Sequence, residues 1–259
     1  MESYLNMKNI LNKIKINNIT YVMILLSLLS GYIKYCFIIL IIVLMHEFGH
    51  VFFFWLFNID IESIEIHPFG GITKVNKRIH GRIYKDLLIA LGGIIFQFLG
   101  MFIVLMLFRL DLIAFSTYKL FITYNVRIII FNLIPIIPLD GSKLLLGILL
   151  KFVSFKSSYY IMFGVSIISM LLFIIYNYAK GLNDVVIVVF LIVETLELLK
   201  NFKYLVNAFY LERLLYDNYY NGIVYDASLE SMRIDKYYYF KNDGIYLGEK
   251  KYLLNNRFK

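Results

Sequence analysis

The chain has one cysteine, one tryptophan, three prolines and four histidines in 259 residues. A lone thiol forms no intrachain disulfide and no thiolate metal cluster, so Cys36 reads as a small hydrophobe. Charged residues are only 17% of the chain, against 60% hydrophobic and 18% aromatic. A soluble domain of this length does not carry so much apolar surface, which excludes that class. There is no nucleic-acid motif, and the basic residues are dispersed along loops. The net charge of +8 therefore fits cytoplasmic loops and an anionic leaflet, with no nucleic-acid partner. No internal repeat and no low-complexity segment is visible. No small-x-small cleavage pattern follows Leu29, so the basic start and the apolar segment after it read as an uncleaved first span.

What is present is apolar segments of membrane-spanning character, the first of them short. Six are predicted, roughly Ile16 to Ser30, Tyr35 to Phe57, Leu87 to Phe108, Ala114 to Ile137 (prolonged by Leu144 to Leu150), Ser158 to Tyr176 and Val185 to Leu199. The expected fold is all-α and polytopic, about six transmembrane helices with a small β-hairpin at the membrane surface. Lys8, Lys13 and Lys15 precede the first span. Lys74, Lys77, Arg78, Arg82 and Lys85 follow the second, Lys151 and Lys156 the fourth, and Lys200, Lys203 and Arg213 the sixth. The opposite side carries only Lys34, Arg109, Lys119 and Lys180. The richer side is cytoplasmic, so both termini are expected there.

Between spans two and three, Ile59-Asp-Ile-Glu-Ser-Ile-Glu-Ile66 alternates as a half-exposed strand does. His67-Pro68-Phe69-Gly70-Gly71 is turn chemistry, and Ile72-Thr-Lys-Val75 resumes a strand. Gly70 and Gly71 read as turn residues or, more sharply, as part of an edge that pairs with an extended substrate. Residues 1–200 are assigned to the membrane domain, with the hairpin at about 59–75. Residues 201–259 are assigned to a cytoplasmic, tyrosine-rich C-terminal region, helical to about Tyr216, with short strands from Val224 onward.

Inside the second span stands His46-Glu47-Phe48-Gly49-His50, flanked by apolar residues on both sides. Ionisable side chains at membrane depth are expensive and are functional suspects by default. Histidines four apart lie on one helix face, where one metal ion can bind both. Glu47 beside them suits a general base acting on water. His67 and His80 lie outside the spans and are not expected to be ligands.

A zinc hydrolase needs three protein ligands and one open position. The third candidate is Asp140, in Asn132-Leu-Ile-Pro135-Ile-Ile-Pro138-Leu-Asp140-Gly141. Two of the three prolines are here. Proline breaks the helical ladder, and such backbone is tolerated at membrane depth beside a cavity or packed protein. Pro135, Pro138 and Gly141 are thus assigned a structural role in presenting the carboxylate. Asn132 can donate to an oxyanion or to a substrate carbonyl.

These two motifs together, with His67-Pro-Phe-Gly-Gly-Ile-Thr-Lys74 and Pro138-Leu-Asp-Gly-Ser-Lys143, resemble the site-2 protease family of intramembrane zinc metalloproteases, in its stage IV sporulation branch. The resemblance covers about residues 33–200. It implies one Zn2+ per chain on His46, His50 and Asp140, with Glu47 activating water. It also implies cleavage of the pro-sequence of a sporulation sigma factor, pro-sigma-K, in the mother-cell membrane around the forespore, under inhibition by membrane partner proteins. Homo-oligomerisation stays open. Family members often carry a Gly-Pro-x-x-x-Asn-like element in the third span, and its nearest match is Gly92-Gly93-Ile-Ile-Phe-Gln97. Gly92 and Gly93 allow close helix approach; Gln97 has no assigned role, and neither has Arg127. Bacillus-type members carry a C-terminal nucleotide-sensing CBS domain, for which this tail is too short.

Two other readings remain open. One is a different membrane zinc peptidase with a downstream glutamate, Glu194, as third ligand. The other is a zinc-binding scaffold without catalysis, against which the presence of Glu47 argues, because metal binding alone does not require it.

Overall fold

Twenty-four consecutive residues without proline form α1, Ile33–Leu56, in which every interior backbone group bonds within the helix. Its end is set by Asn58, which adopts φ 53°. Asn58 N–H donates to Trp55 O and Ile59 N–H to Phe54 O, at 3.0 and 2.9 Å, closing the last turn. The helix α2, Ile83–Arg109, ends in the same way at Asp111, φ 56°. Then come α3, Phe115–Leu133; α4, Asp140–Phe152; α5, Phe155–Asn177; and α6, Leu182–Leu215. This computed structural model describes residues 14–16, 21, 25, 28–67, 70–76, 79, 83–177, 182–216, 220–226, 228–242 and 244–257.

The protein is a mostly helical integral membrane protein. Among the described residues, three helices are long and apolar enough to cross a membrane: α1, α2 and α5 over Phe155–Tyr176. They present large apolar side chains outward, such as Phe48 and Trp55 on α1, Phe98 and Phe102 on α2, and Ile168 and Leu172 on α5. Such belts are stable against lipid rather than water. The expected first span lies largely outside the described residues. The fourth, in α3, carries Lys119, Asn125 and Arg127; the sixth, in α6, follows Asp184 and carries Glu194 and Glu197.

The chain divides into two units, residues 1–77 with 88–133, and residues 78–87 with 134–259. In the first, Ile38 and Ile42 of α1 pack on Phe121 of α3. Val51 and Phe54 of α1 pack on Ile61 and Ile89. A three-stranded sheet belongs to this unit. Its central strand β2, Asp60–His67, pairs antiparallel with β3, Gly70–Asn76, and parallel with β1, Ile14–Ile16. The hairpin thus matches the alternation in the sequence, but is tighter. Gly70 faces His67 and Gly71 faces Ile66 in the ladder, so both glycines sit in β3 and not in the turn. The strand β1 was not expected, because three residues among lysines and asparagines give no periodicity.

In the second unit α4, α5 and α6 share a core with the C-terminal region. Phe155 of α5 stacks on Phe209 of α6, with centroids 4.2 Å apart and 9° between planes. Strands β4, Ile223–Tyr225, β5, Tyr237–Asn242, and β6, Ile245–Gly248, form a second sheet in the order β4-β5-β6, followed by α7, Glu249–Asn256. Met232, Tyr238, Phe240 and Leu253 complete the core. Its polar centre is Arg213, 0% exposed, paired with Glu249, also 0% exposed, through Nε–Oε1 and Nη2–Oε2, each 2.5 Å. Arg213 also donates to the carbonyls of Arg233 and Lys236, at 2.9 and 2.6 Å.

Candidate metal centre

His46 and His50 lie one turn apart on α1, both buried, with ring centroids 4.7 Å apart and planes at 85°. Their Nε2 atoms stand 3.1 Å apart. Each Nδ1 points away to a partner. His50 Nδ1 is 2.7 Å from the backbone carbonyl of Ile89, which only accepts, so this nitrogen carries the proton. His46 Nδ1 is 3.0 Å from Gln97 Oε1. Both imidazoles therefore keep the Nε2 lone pair, and the two lone pairs converge. Only a proton or a cation reconciles two acceptors at that separation.

Helix α2 comes close enough to make these bonds because glycines line the crossing. A Cβ at Gly92 would stand 2.6 Å from Gly49 O, so the two backbones are in direct contact there. A Cβ at Gly93 would collide with the His46 ring, at 2.5 Å from Nδ1 and closer still to Cε1. Glu47, between the two histidines on α1, is buried as well.

Deeper along α2, Gln97 is 1% exposed and meets Asn125 of α3, also 1% exposed. Gln97 Nε2 donates to Asn125 Oδ1 at 3.1 Å, and Asn125 Nδ2 donates to the Gln97 carbonyl at 3.0 Å. The sequence reading did not single out Asn125. Its signal was available, as an uncharged amide inside an otherwise apolar span. Arg127, two residues on, is exposed, with its guanidinium 5.9 Å from the Tyr124 ring centroid.

Asn132 is half-buried in the last turn of α3. In the second unit the proline-bearing segment runs without helix to Asp140, the first residue of α4. The Ile137–Pro138 peptide is cis. Ser166 Oγ of α5 accepts from Ile137 N–H at 3.0 Å, and Thr195 Oγ1 of α6 donates to the Ile137 carbonyl at 3.3 Å. Neither hydroxyl was anticipated from the sequence. Asp140 and Gly141 are buried. Asp140 Oδ1 is 2.9 Å from Nζ of Lys143, a side chain 58% exposed. Glu194 is half-buried on α6.

No protein-family model matches the chain. Over 204 residues it is 29% identical to stage IV sporulation protein FB of Bacillus subtilis (strain 168), covering 78% of this chain and 71% of that protein. Over 114 residues it is 31% identical to a zinc metalloprotease of Methanocaldococcus jannaschii, covering 42% of this chain and 32% of that protein. The structure of a site-2 protease from Methanocaldococcus jannaschii shares the fold, with a TM-score of 0.57 over 71% of this chain and 90% of that chain at 22% identity.

Proposed function

We propose that the chain, an intramembrane metalloprotease of the site-2 protease type, holds one zinc ion through His46, His50 and Asp140 and cleaves the pro-sequence of pro-sigma-K during spore formation. The observation that carries the metal is the convergence of the two Nε2 atoms at 3.1 Å, with each Nδ1 turned to a partner of its own. Two nitrogens on one tetrahedral zinc, at about 2.0–2.1 Å each, stand about 3.3 Å apart. His46, His50 and Asp140 are each buried, and two imidazoles with one carboxylate are donor types that suit a zinc hydrolase.

Bound zinc would polarise the scissile carbonyl and acidify the attacking water. Glu47 takes the proton of that water and returns it to the leaving amine. Asn132 donates to the oxyanion. Pro135, Pro138 and Gly141 present Asp140, because the prolines end one helix and let the next begin at the carboxylate. A helical substrate hides its peptide bonds in its own hydrogen bonds, so it must be received extended. Strand β3, which starts at Gly70 and Gly71, is an edge strand among the described residues and suits addition of a substrate strand.

The same reading has residues 1–200 as a protease domain of six spans with both termini cytoplasmic, and residues 201–259 as its cytoplasmic C-terminal region. It places the protein in the mother-cell membrane, held inhibited by membrane partners. The likeness to the sporulation protein of Bacillus subtilis supports the branch.

The test is co-expression with tagged pro-sigma-K from the same host. Shortening of the tagged substrate by the parent and not by Glu47→Gln is expected, with zinc retained in both. Cleavage that survives Glu47→Gln would remove the protease mechanism. Zinc in both without cleavage by either would remove the substrate assignment.

A further inference from the structure

We propose that Gln97 and Asn125 are positioning residues for the metal, a pair of buried amides that fixes the tautomer and the ring orientation of His46. The inference rests on the zinc reading above and deepens it. A glutamine side chain can face a neighbour with its oxygen or with its nitrogen, so Gln97 alone fixes nothing. Asn125 decides the matter. Its Nδ2 is committed to the Gln97 backbone carbonyl at 3.0 Å, so its Oδ1 is the atom turned to the Gln97 side chain, 3.1 Å from Nε2. That acceptor holds the Gln97 amide with its nitrogen toward Asn125 and its oxygen toward His46 Nδ1, at 3.0 Å. An amide oxygen only accepts, so His46 is protonated at Nδ1 and its lone pair stays on Nε2, facing His50. A flip of the Gln97 amide would place an amine against that N–H and an oxygen against Asn125 Oδ1, two unmatched contacts in a site that is 1% exposed at both residues.

The two histidines are thus oriented by different means. His50 is held by the Ile89 carbonyl, part of the α2 backbone, which cannot flip. His46 is held by a side chain that needs a second side chain, from α3, to be directional. The first ligand of the pair therefore depends on residues 51 and 79 positions away in sequence, outside both motifs. Partners of this kind set ligand orientation and basicity, and their loss typically lowers metal affinity about 10–100-fold.

The test is zinc affinity of the full-length protein in detergent, measured by competition with a chromophoric chelator, beside thermal unfolding of the metal-stripped protein. Gln97→Leu removes the acceptor and is expected to weaken zinc binding about 10–100-fold. Gln97→Glu restores an acceptor at Nδ1 and is expected to bind zinc as the parent does. Asn125→Leu leaves the Gln97 amide free to turn and is expected to weaken zinc in the same direction as Gln97→Leu, but less. It also decides the matter if Gln97→Leu does not fold. Parent-like zinc affinity in both leucine variants overturns the inference. So does equal loss in Gln97→Leu and Gln97→Glu that tracks unfolding temperature, because packing alone would then be the cause. A parent that holds no zinc overturns the metal reading, and this inference with it.

Discussion

Adding one methyl group at Gly93 is the most direct perturbation of the site. The new Cβ would stand 2.5 Å from His46 Nδ1 and 2.8 Å from Nε2. Ordinary van der Waals separation is about 3.5–4.0 Å, so the ring or the helix must give by about 1 Å. If the ring turns, it leaves Gln97 Oε1 at 3.0 Å and the partner Nε2 at 3.1 Å. If α2 retreats, it takes with it Gln97 and the Ile89 carbonyl, which hold the two histidines. Either response misplaces an imidazole of the proposed zinc site, and misplacement of about 1 Å costs on the order of 100-fold in rate. Overpacking a close contact costs about 1–3 kcal/mol of stability, so Gly93→Ala is expected to fold, to hold zinc weakly and to cleave about 100-fold more slowly. The control is Gly164→Ala, in the interior of α5, where a Cβ meets no atom within 4 Å. That change is expected to leave zinc and cleavage intact and to gain up to about 1 kcal/mol from helix propensity. Zinc content and single-turnover cleavage of both variants decide it. A Gly93→Ala protein that binds zinc and cleaves like the parent would falsify the reasoning.

Glu249→Ala leaves the Arg213 guanidinium in a fully buried site without its bidentate partner, which costs about 3–5 kcal/mol. The expected result is rapid proteolysis within residues 220–257 with zinc content unchanged, and a tail as resistant as the parent's would refute the structural role assigned to the pair. Gly70→Pro removes a backbone N–H at the start of β3 and is expected to slow cleavage without loss of zinc; loss of zinc would show that the strand supports the metal rather than the substrate.

The facing histidines were legible because a spacing of four has one meaning on a helix. The hairpin was legible because alternation has a period of two. The Asp140 segment announced itself by two prolines in a chain with three. What stayed hidden depends on pairs of residues far apart in sequence. Arg213 counts as a cytoplasmic cation in any tally of charges. That it is 0% exposed follows only from Glu249 standing 36 positions later at the start of α7. Asn125 and Gln97 are 28 positions apart on different helices, and neither has a partner visible from its own helix.

The proline-bearing segment shows why these distant polar residues belong with the motifs. Breaking a helix at membrane depth leaves backbone groups that lipid cannot satisfy, at several kcal/mol each on the order of magnitude. Within the segment Ile136 N–H donates to Ile134 O and Leu139 N–H to Ile136 O, at 2.8 and 2.7 Å, but Ile137 finds its partners outside it. Ser166 of α5 receives the Ile137 N–H, and Thr195 of α6 caps the Ile137 carbonyl while also bonding Leu191 O at 2.8 Å in its own helix. The geometry that starts α4 at Asp140 is therefore written partly in α5 and α6. The same logic holds on the histidine side, where α1 carries both imidazoles and α2 and α3 decide which nitrogen of His46 is offered. In a membrane, an uncompensated polar atom is too costly to leave to chance. Each motif residue therefore requires a partner elsewhere in its unit, and an isolated serine, threonine or amide in an apolar span is the place to look for it.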